Sequence, residues 1–466
     1  MPVIRRSVFC STIVTALFAS SVFAQIPDVP PVPTNGDVQS PRSEAAAPDV
    51  YPVSPEEAIP AVPPTAFTSD GEIRAMWVVR DSMHSRAKIR NAVALAKKHG
   101  FNTLFVQVRG RGDAFYNSQY EPRSEELAGV SAEFDPLAVA VEEGHKAGLE
   151  VHAWLNTLFV WGRSRAPWSS RHVVNAHPEW LVRTKDNRVQ RTDSKDCEGA
   201  FLNPAIPEVR DYLRDVFNDV ATNYAVDGVH MDYVRMPANR FSFGDADMRL
   251  FREWLAPQLT RDEIAYADAK VARGSRLAWH YLHPKEWAEW RRGNVTATVL
   301  AISAAVHATK PDAIVSAAVF PNYRVAYGDK GQAWREWLNN DLIDAACPMS
   351  YNQSTQVAAS QIRDAVKSCP GKPIIAGVGA WQVPSASAVA KGKAYRNVGA
   401  AGINFFSYDG MTRNGRSEKY LNSVGRGLFG SRSAPRNWRR GGAGSSASGK
   451  PVVTPKLEEA NSDVQP

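Results

Sequence analysis

The amino-acid sequence predicts an α/β fold, a single (β/α)8 TIM-type barrel, and three observations carry the prediction. Apolar strand-like runs alternate with helix-period segments eight times between residues 70 and 430, the order that parallel strands with crossover helices require. The flanking stretches are rich in Pro, Gly and small or polar residues and have too little apolar surface to join a core. The longest connections follow the third and fourth strands, from Asn156 to about Asn203 and from Val234 to about Asn294. Both lie at the C-terminal mouth, where barrels of this kind keep their sites.

Each unit has its own signal. RAMWVV (Arg74–Val79) precedes a helical run from Arg86 to His99 that Gly100 ends. NTLFVQV (Asn102–Val108) precedes PLAVAVEEGHKAG, and LEVHAWL (Leu149–Leu155) precedes PEVRDYLRDVFNDVATNY after the first long loop. DGVHMDY (Asp227–Tyr233) leads through the second long loop to VTATVLAISAAVHATK. AIVSAAVF, LIDAACPMSY, KPIIAGVGAW and AGINFFSY then alternate with QAWREWLNN, QVAASQIRDAVKS, SAVAKGKAYRNV and SEKYLNSVGRGLF.

The chain has 466 residues, 44% hydrophobic and 22% charged, ample for a large core. Residues 1–24 read as a secretory signal: Arg5 and Arg6, a short apolar stretch and V-F-A ending at Ala24. The expected location is therefore periplasmic or secreted, with no integral membrane span once the signal is cleaved. Residues 25–69 read as a Pro-rich disordered linker and 431–466 as a disordered tail. Cys197, Cys347 and Cys369 are too few for a disulfide framework, although Cys347 and Cys369 could pair. The net charge of +7 is modest and no recognition motif accompanies it, so nucleic acid is not an expected partner. No C-x-x-C or H-x-x-x-H spacing marks a zinc site, and neither a cofactor nor a metal is expected.

Side chains alternate along a strand, so some residues of each strand must face the barrel axis. Phe105, Gln107 and Arg109 share one face of the second strand, His152, Trp154 and Asn156 one face of the third, and His230 and Asp232 one face of the fourth. An interior filled only for stability favours branched aliphatic residues, so polar faces on three consecutive strands mark a site. Asp232 is the leading catalytic carboxylate. Asp113 and Glu121, on the loop after the second strand, are candidate partner acids, with Asp409 a third. Trp154, Trp161, Tyr233, Tyr351 and Trp381 offer apolar faces for sugar rings.

The strings RAMWVVR, NTLFVQVRGRGDAFYNSQYEP, GLEVHAWLN, HPEW, LNPAIPEVRDY, YAVDGVHMDYVRMP and DLIDAACPMSY, in this order, resemble the glycosyl hydrolase-like family 10 from about Glu72 to Tyr408. The resemblance implies a (β/α)8 fold and hydrolysis of a glycosidic bond, with bacterial cell-wall glycan as the favoured polysaccharide substrate. Asp232 matches the acid of the family's D-G-(I/V)-(H/Q)-(F/M)-D pattern, and Gln107, His152, Trp154 and Asn156 match its other strand motifs. Many relatives carry a second acid directly after this aspartate, where this chain has Tyr233. A two-carboxylate mechanism then assigns Asp232 the nucleophilic or stabilising role, tuned by His230 and Arg109, with Asp113 or Glu121 supplying the proton. Two rival expectations are a non-catalytic glycan-binding barrel and a metal-dependent barrel hydrolase with His152, His230 and Asp232 as ligands.

Overall fold

In the computed structural model the eight expected runs form eight parallel strands: β1 (Ile73–Val78), β2 (Thr103–Arg109), β3 (Glu150–Asn156), β4 (Gly228–Asp232), β5 (Ile314–Val319), β6 (Ala345–Pro348), β7 (Ile375–Gly379) and β8 (Gly402–Phe406). They pair in the order β7-β8-β1-β2-β3-β4-β5-β6. A parallel bridge between Ala346 and Ile374 joins the two ends and closes the barrel. The structure describes residues 67–68, 71–189, 198–238, 241–413, 417–430 and 439–440. The expected signal, most of the linker, Cys197 and most of the tail lie outside these residues. One departure is described: Phe67–Thr68 pairs antiparallel with Arg439–Arg440, so linker and tail meet in a two-residue ribbon.

The crossover helices follow from apolar periodicity and from caps. Helix α1 (Arg86–Lys98) starts at Ser85, whose side chain accepts from the Lys88 amide, and stops before Gly100, which sits at φ +80°. Helix α2 (Pro136–Lys146) starts at Asp135 with Pro136 in the first turn. Helix α3 (Pro207–Asn223) buries Val209, Leu213, Val216, Phe217 and Val220 at helical spacing. Helix α4 (Pro284–Thr309) starts earlier than its apolar tail predicts. Its first turns bury Trp287, Trp290 and Arg291, and both tryptophans pack with Phe243 and Phe251 in a small core of their own. Helices α5 (Trp334–Asn339), α6 (Thr355–Ser368), α7 (Ser385–Asn397) and α8 (Ser417–Val424) complete the ring.

The interior carries the larger surprise. Ile73, Ala75, Trp77, Phe105, Trp154, Ile314, Ala345, Cys347 and Ile375 fill the axis, with aromatic rings where branched aliphatics are usual. Cys347 and Cys369 are both free and buried, so the pairing considered from sequence does not occur. Room for the aromatic rings comes from small residues opposite them. A Cβ built on Gly228 would stand 2.4 Å from the Ile314 carbonyl oxygen and 2.5 Å from His152 Nδ1. Neither the strand backbone nor a fully buried ring can yield that space. Gly228→Ala therefore costs on the order of 1–3 kcal/mol of stability, read as a lower urea midpoint with an unchanged slope.

Candidate functional site

Asp232 ends β4 at the barrel mouth and is 9% exposed. Its Oδ2 accepts a hydrogen bond from Trp154 Nε1 at 3.2 Å, and its Oδ1 accepts from the backbone amide of Tyr233 at 2.7 Å. Tyr233 adopts φ +51°, a left-handed conformation that a bulky residue enters only under constraint. That turn is what brings its amide onto the preceding carboxylate. Burial pushes the Asp232 carboxyl up to about 6, against the opposing pull of these hydrogen bonds and of Arg235. An acid with that value is protonated through much of the mildly acidic range.

His230 shares the inner face with Asp232 but lies one layer deeper. Trp77 Nε1 donates to its Nε2 at 3.1 Å, so the ring proton sits on Nδ1 and faces Ser316 Oγ at 2.9 Å. Burial, then the nearby His152, holds its pKa well below the ordinary histidine value. The ring is a neutral plug packed at a tilt of 40° against Phe105, with centroids 4.4 Å apart, not a group tuning Asp232. His152 is likewise fully buried, packs edge-on against Phe105 and has Glu150 at 3.7 Å. Both His230 nitrogens are engaged within the core, which removes it from the ligand set of the metal reading. Among the described residues no three His, Cys, Asp or Glu side chains converge on one point.

Arg109 is displaced from its expected face. The register between β2 and β3 shifts after Gln107, and Arg109 pairs with Leu155, whose side chain belongs to the outer core. One extra residue in a strand turns the following side chain over. Arg109 Nη2 accordingly meets Glu121 at 2.7 Å, both side chains fully buried, and Tyr212 of α3 donates to the same carboxylate at 2.5 Å. Arg109 also donates to the carbonyls of Asn156 and Thr157. Glu121 is thus a buried brace between the β2 loop, the end of β3 and α3, and it is closed to a substrate.

The other loop acids are equally committed. Asp113 accepts from Ser124 Oγ at 2.6 Å and from the Arg111 amide at 3.2 Å. Asp409 accepts from Ser82 Oγ at 2.7 Å, from the Val79 amide at 3.1 Å and from Arg413 at 2.8 Å. Gln107 Oε1 is taken by the amide and Nη1 of Arg80, and Asn156 Nδ2 donates to the Gly110 carbonyl at 2.8 Å. These contacts shape the mouth and hold its loops.

An aromatic wall rises beside Asp232. Tyr351 meets Trp381 edge-on at 4.9 Å, Phe406 meets Trp381 at 5.5 Å, and Trp154 meets Phe406 at 6.2 Å. Trp381 is 42% exposed and offers a face to solvent. The Tyr351 hydroxyl is pushed far up by burial and by the charge of Asp232, which places it within that carboxylate's field. Trp161 is no platform: it is buried, and its Nε1 donates to the Arg165 carbonyl at 2.6 Å.

Sequence reasoning missed Glu198 and Phe406, and weighed Arg235 only as a possible structural partner of Asp232. Arg235 Nη2 donates to Glu198 Oε1 at 2.8 Å, and its guanidinium lies 4.6 Å from the centre of the Tyr233 ring. Arg235 holds Glu198 below the usual carboxylate range against its burial, and Glu198 in turn helps to raise Asp232. Two acids thus sit at this mouth with environments that drive them apart. The available signal was C-E-G-A: a Cβ on Gly199 would be 2.0 Å from the Trp161 carbonyl oxygen, so only glycine lets the chain pass there.

Two outcomes follow. Glu121→Ala strands a buried guanidinium and costs about 3–5 kcal/mol of stability, seen in denaturant unfolding before any specific loss of turnover. For Asp232 the sign runs the other way. Its folded pKa lies above the ordinary aspartate value, so its contribution is intact at pH 3 and is lost as pH rises through about 6. Asp232→Asn therefore gains on the order of 2–3 kcal/mol at pH 8, and the gain shrinks towards zero near pH 3 in a pH series of urea melts.

The family model described as "Glycosyl hydrolase-like 10" matches residues 72–393. The chain is similar to "Glycosyl hydrolase YngK" of Bacillus subtilis (27% identical over 318 residues, 61% of this chain and 54% of that protein) and to "Glycosyl hydrolase DigH" of Escherichia coli K12 (25% over 311 residues, 59% and 61%). It thus spans a little over half the length of these curated relatives. Among solved structures, the glycoside hydrolase domain of PgaB (BpsB) from Bordetella bronchiseptica superposes with a TM-score of 0.56 at 15% identity, covering 76% of this chain and 98% of that one. A GH42 β-galactosidase, Gan42B from G. stearothermophilus, gives 0.54 at 15% identity, covering 78% and 57%. At such identities these structures speak for the barrel fold alone. The chain belongs to the glycosyl hydrolase-like family 10.

Proposed function

We propose that the protein hydrolyses O-glycosyl bonds in a bacterial cell-wall polysaccharide, peptidoglycan glycan strands first, on the outer side of the cytoplasmic membrane. The observation that carries this reading is Asp232: a carboxyl raised to about 6, fixed by Trp154 and the Tyr233 amide, beside an aromatic wall with an open indole face. Glycosidic cleavage needs an acid still protonated when the substrate arrives, and raised carboxyls serve this role. Burial therefore moves Asp232 from the nucleophilic role expected from sequence to that of proton donor. Tyr351, Trp381 and Phe406 supply the apolar faces on which sugar rings rest. The placement outside the membrane rests on the signal-like residues 1–24. No helix among the described residues is long and apolar enough to cross a membrane.

Proton donation by Asp232 fixes the direction of the pH profile. With purified wall glycan as substrate, kcat/KM falls above about pH 6, with a slope of one proton, as the Asp232 carboxyl ionises. Were Asp232 the nucleophile, activity would instead rise through that pH. Asp232→Asn lowers turnover by at least about 10²-fold while retaining glycan binding. Mass analysis of the released fragments, from glycan with and without stem peptides, identifies the bond. Unchanged cleavage by the variant would contradict the assignment, and binding with no cleavage by the wild type would leave a glycan-binding barrel.

A further inference from the structure

Directly after Asp232 the chain has Tyr233, so the strand itself brings no second acid to the mouth. The geometry points to one from another element. We infer that Glu198, carried in on the long loop after β3, is the second catalytic carboxylate and takes the proton from the water that attacks the anomeric carbon. The inference rests on the glycosidase reading above.

Three observations support it. First, a continuous chain of contacts joins the two acids. The Tyr233 amide donates to Asp232 Oδ1 at 2.7 Å, the Tyr233 ring lies 4.6 Å from the Arg235 guanidinium, and Arg235 donates to Glu198 Oε1 at 2.8 Å. Arg235 and Glu198 are also the charged groups that act most strongly on Asp232. Second, Glu198 is positioned without being closed off. Arg235 is almost fully buried, packs over Phe201 and Phe320 at 5.6 and 5.3 Å and fixes one carboxylate oxygen, while the Glu198 side chain stays 32% exposed. A base that activates water needs that access. Third, the partner acids expected from sequence are engaged elsewhere: Asp113 bonds Ser124 in its own loop, Glu121 pairs with Arg109 of β2 and Tyr212 of α3, and Asp409 bonds Ser82 and Val79 beside β1.

The step balances without a metal or a covalent intermediate. The Asp232 carboxylic acid gives its proton to the glycosidic oxygen as the bond from that oxygen to the anomeric carbon breaks. Water forms the new bond to that carbon from the opposite face, and Glu198 accepts the proton released. The departing sugar leaves as an alcohol, the new reducing end is inverted, and solvent returns the proton from Glu198 to Asp232.

The test uses the full chain and purified glycan strands. Glu198→Gln, which keeps an oxygen for Arg235, lowers kcat/KM about 10²–10⁴-fold with glycan binding retained. The residual activity loses its acid limb and keeps the alkaline limb set by Asp232. Glu198→Ala with sodium azide recovers turnover and yields a glycosyl azide, because azide needs no base; this readout also serves if the Gln variant folds poorly. Near wild-type turnover in Glu198→Gln alongside an inactive Asp232→Asn overturns the role of Glu198 and leaves the glycosidase standing. Absence of azide rescue likewise overturns it, and absence of cleavage by the wild type overturns both.

Discussion

The site depends on one electrostatic constraint, a carboxyl held in a largely dehydrated aromatic mouth. Removing Asp232 from water disfavours its charge, and the neighbouring donors, Trp154 Nε1 and the Tyr233 amide, only partly restore it. The left-handed turn at Tyr233 puts its amide on Asp232 and its ring against Phe159 and under Arg235. Arg235 then carries Glu198. A conformation unfavourable to tyrosine is thus sustained by packing on both sides, and it links the two acids mechanically.

Beneath this layer the barrel is stiff. The Trp77–His230–Ser316 chain fills the axis with hydrogen bonds whose directions are fixed by the indole donor. Gly228 makes room for His152, and the buried Arg109–Glu121 pair ties the loop after β2 to α3. The bonds among Trp77, His230 and Ser316 and between Arg109 and Glu121 brace the floor of the mouth. The cost of burying Asp232 is borne by that scaffold, a common trade at a functional site.

Much of the fold was legible because it is local. Strand runs, Gly100 after α1 and the lengths of the loops after β3 and β4 are written in short windows of sequence, and the observed strands differ from the expected ones by a few residues at their ends. Asp232 and Trp154 were legible too, since parity along a strand places them at the mouth, and Tyr351 and Trp381 were legible as aromatic residues just past the ends of β6 and β7. Arg109 was not, because the register shift that turns it outward is a property of two strands together. Phe406 read as ordinary core material in an apolar strand. Glu198 was hidden for a deeper reason: its place is set by Arg235, 37 residues away, and by the passage of Gly199 past Trp161. His230 and His152 looked like site residues because polarity on an inner face does not reveal depth along the barrel axis.

Burial keeps the Asp232 carboxyl protonated into the mildly acidic range. Infrared difference titration of the protonated carboxyl band, wild type minus Asp232→Asn, reports that group alone. The expected midpoint lies near pH 6. A midpoint near about 4, the ordinary aspartate range, would contradict it.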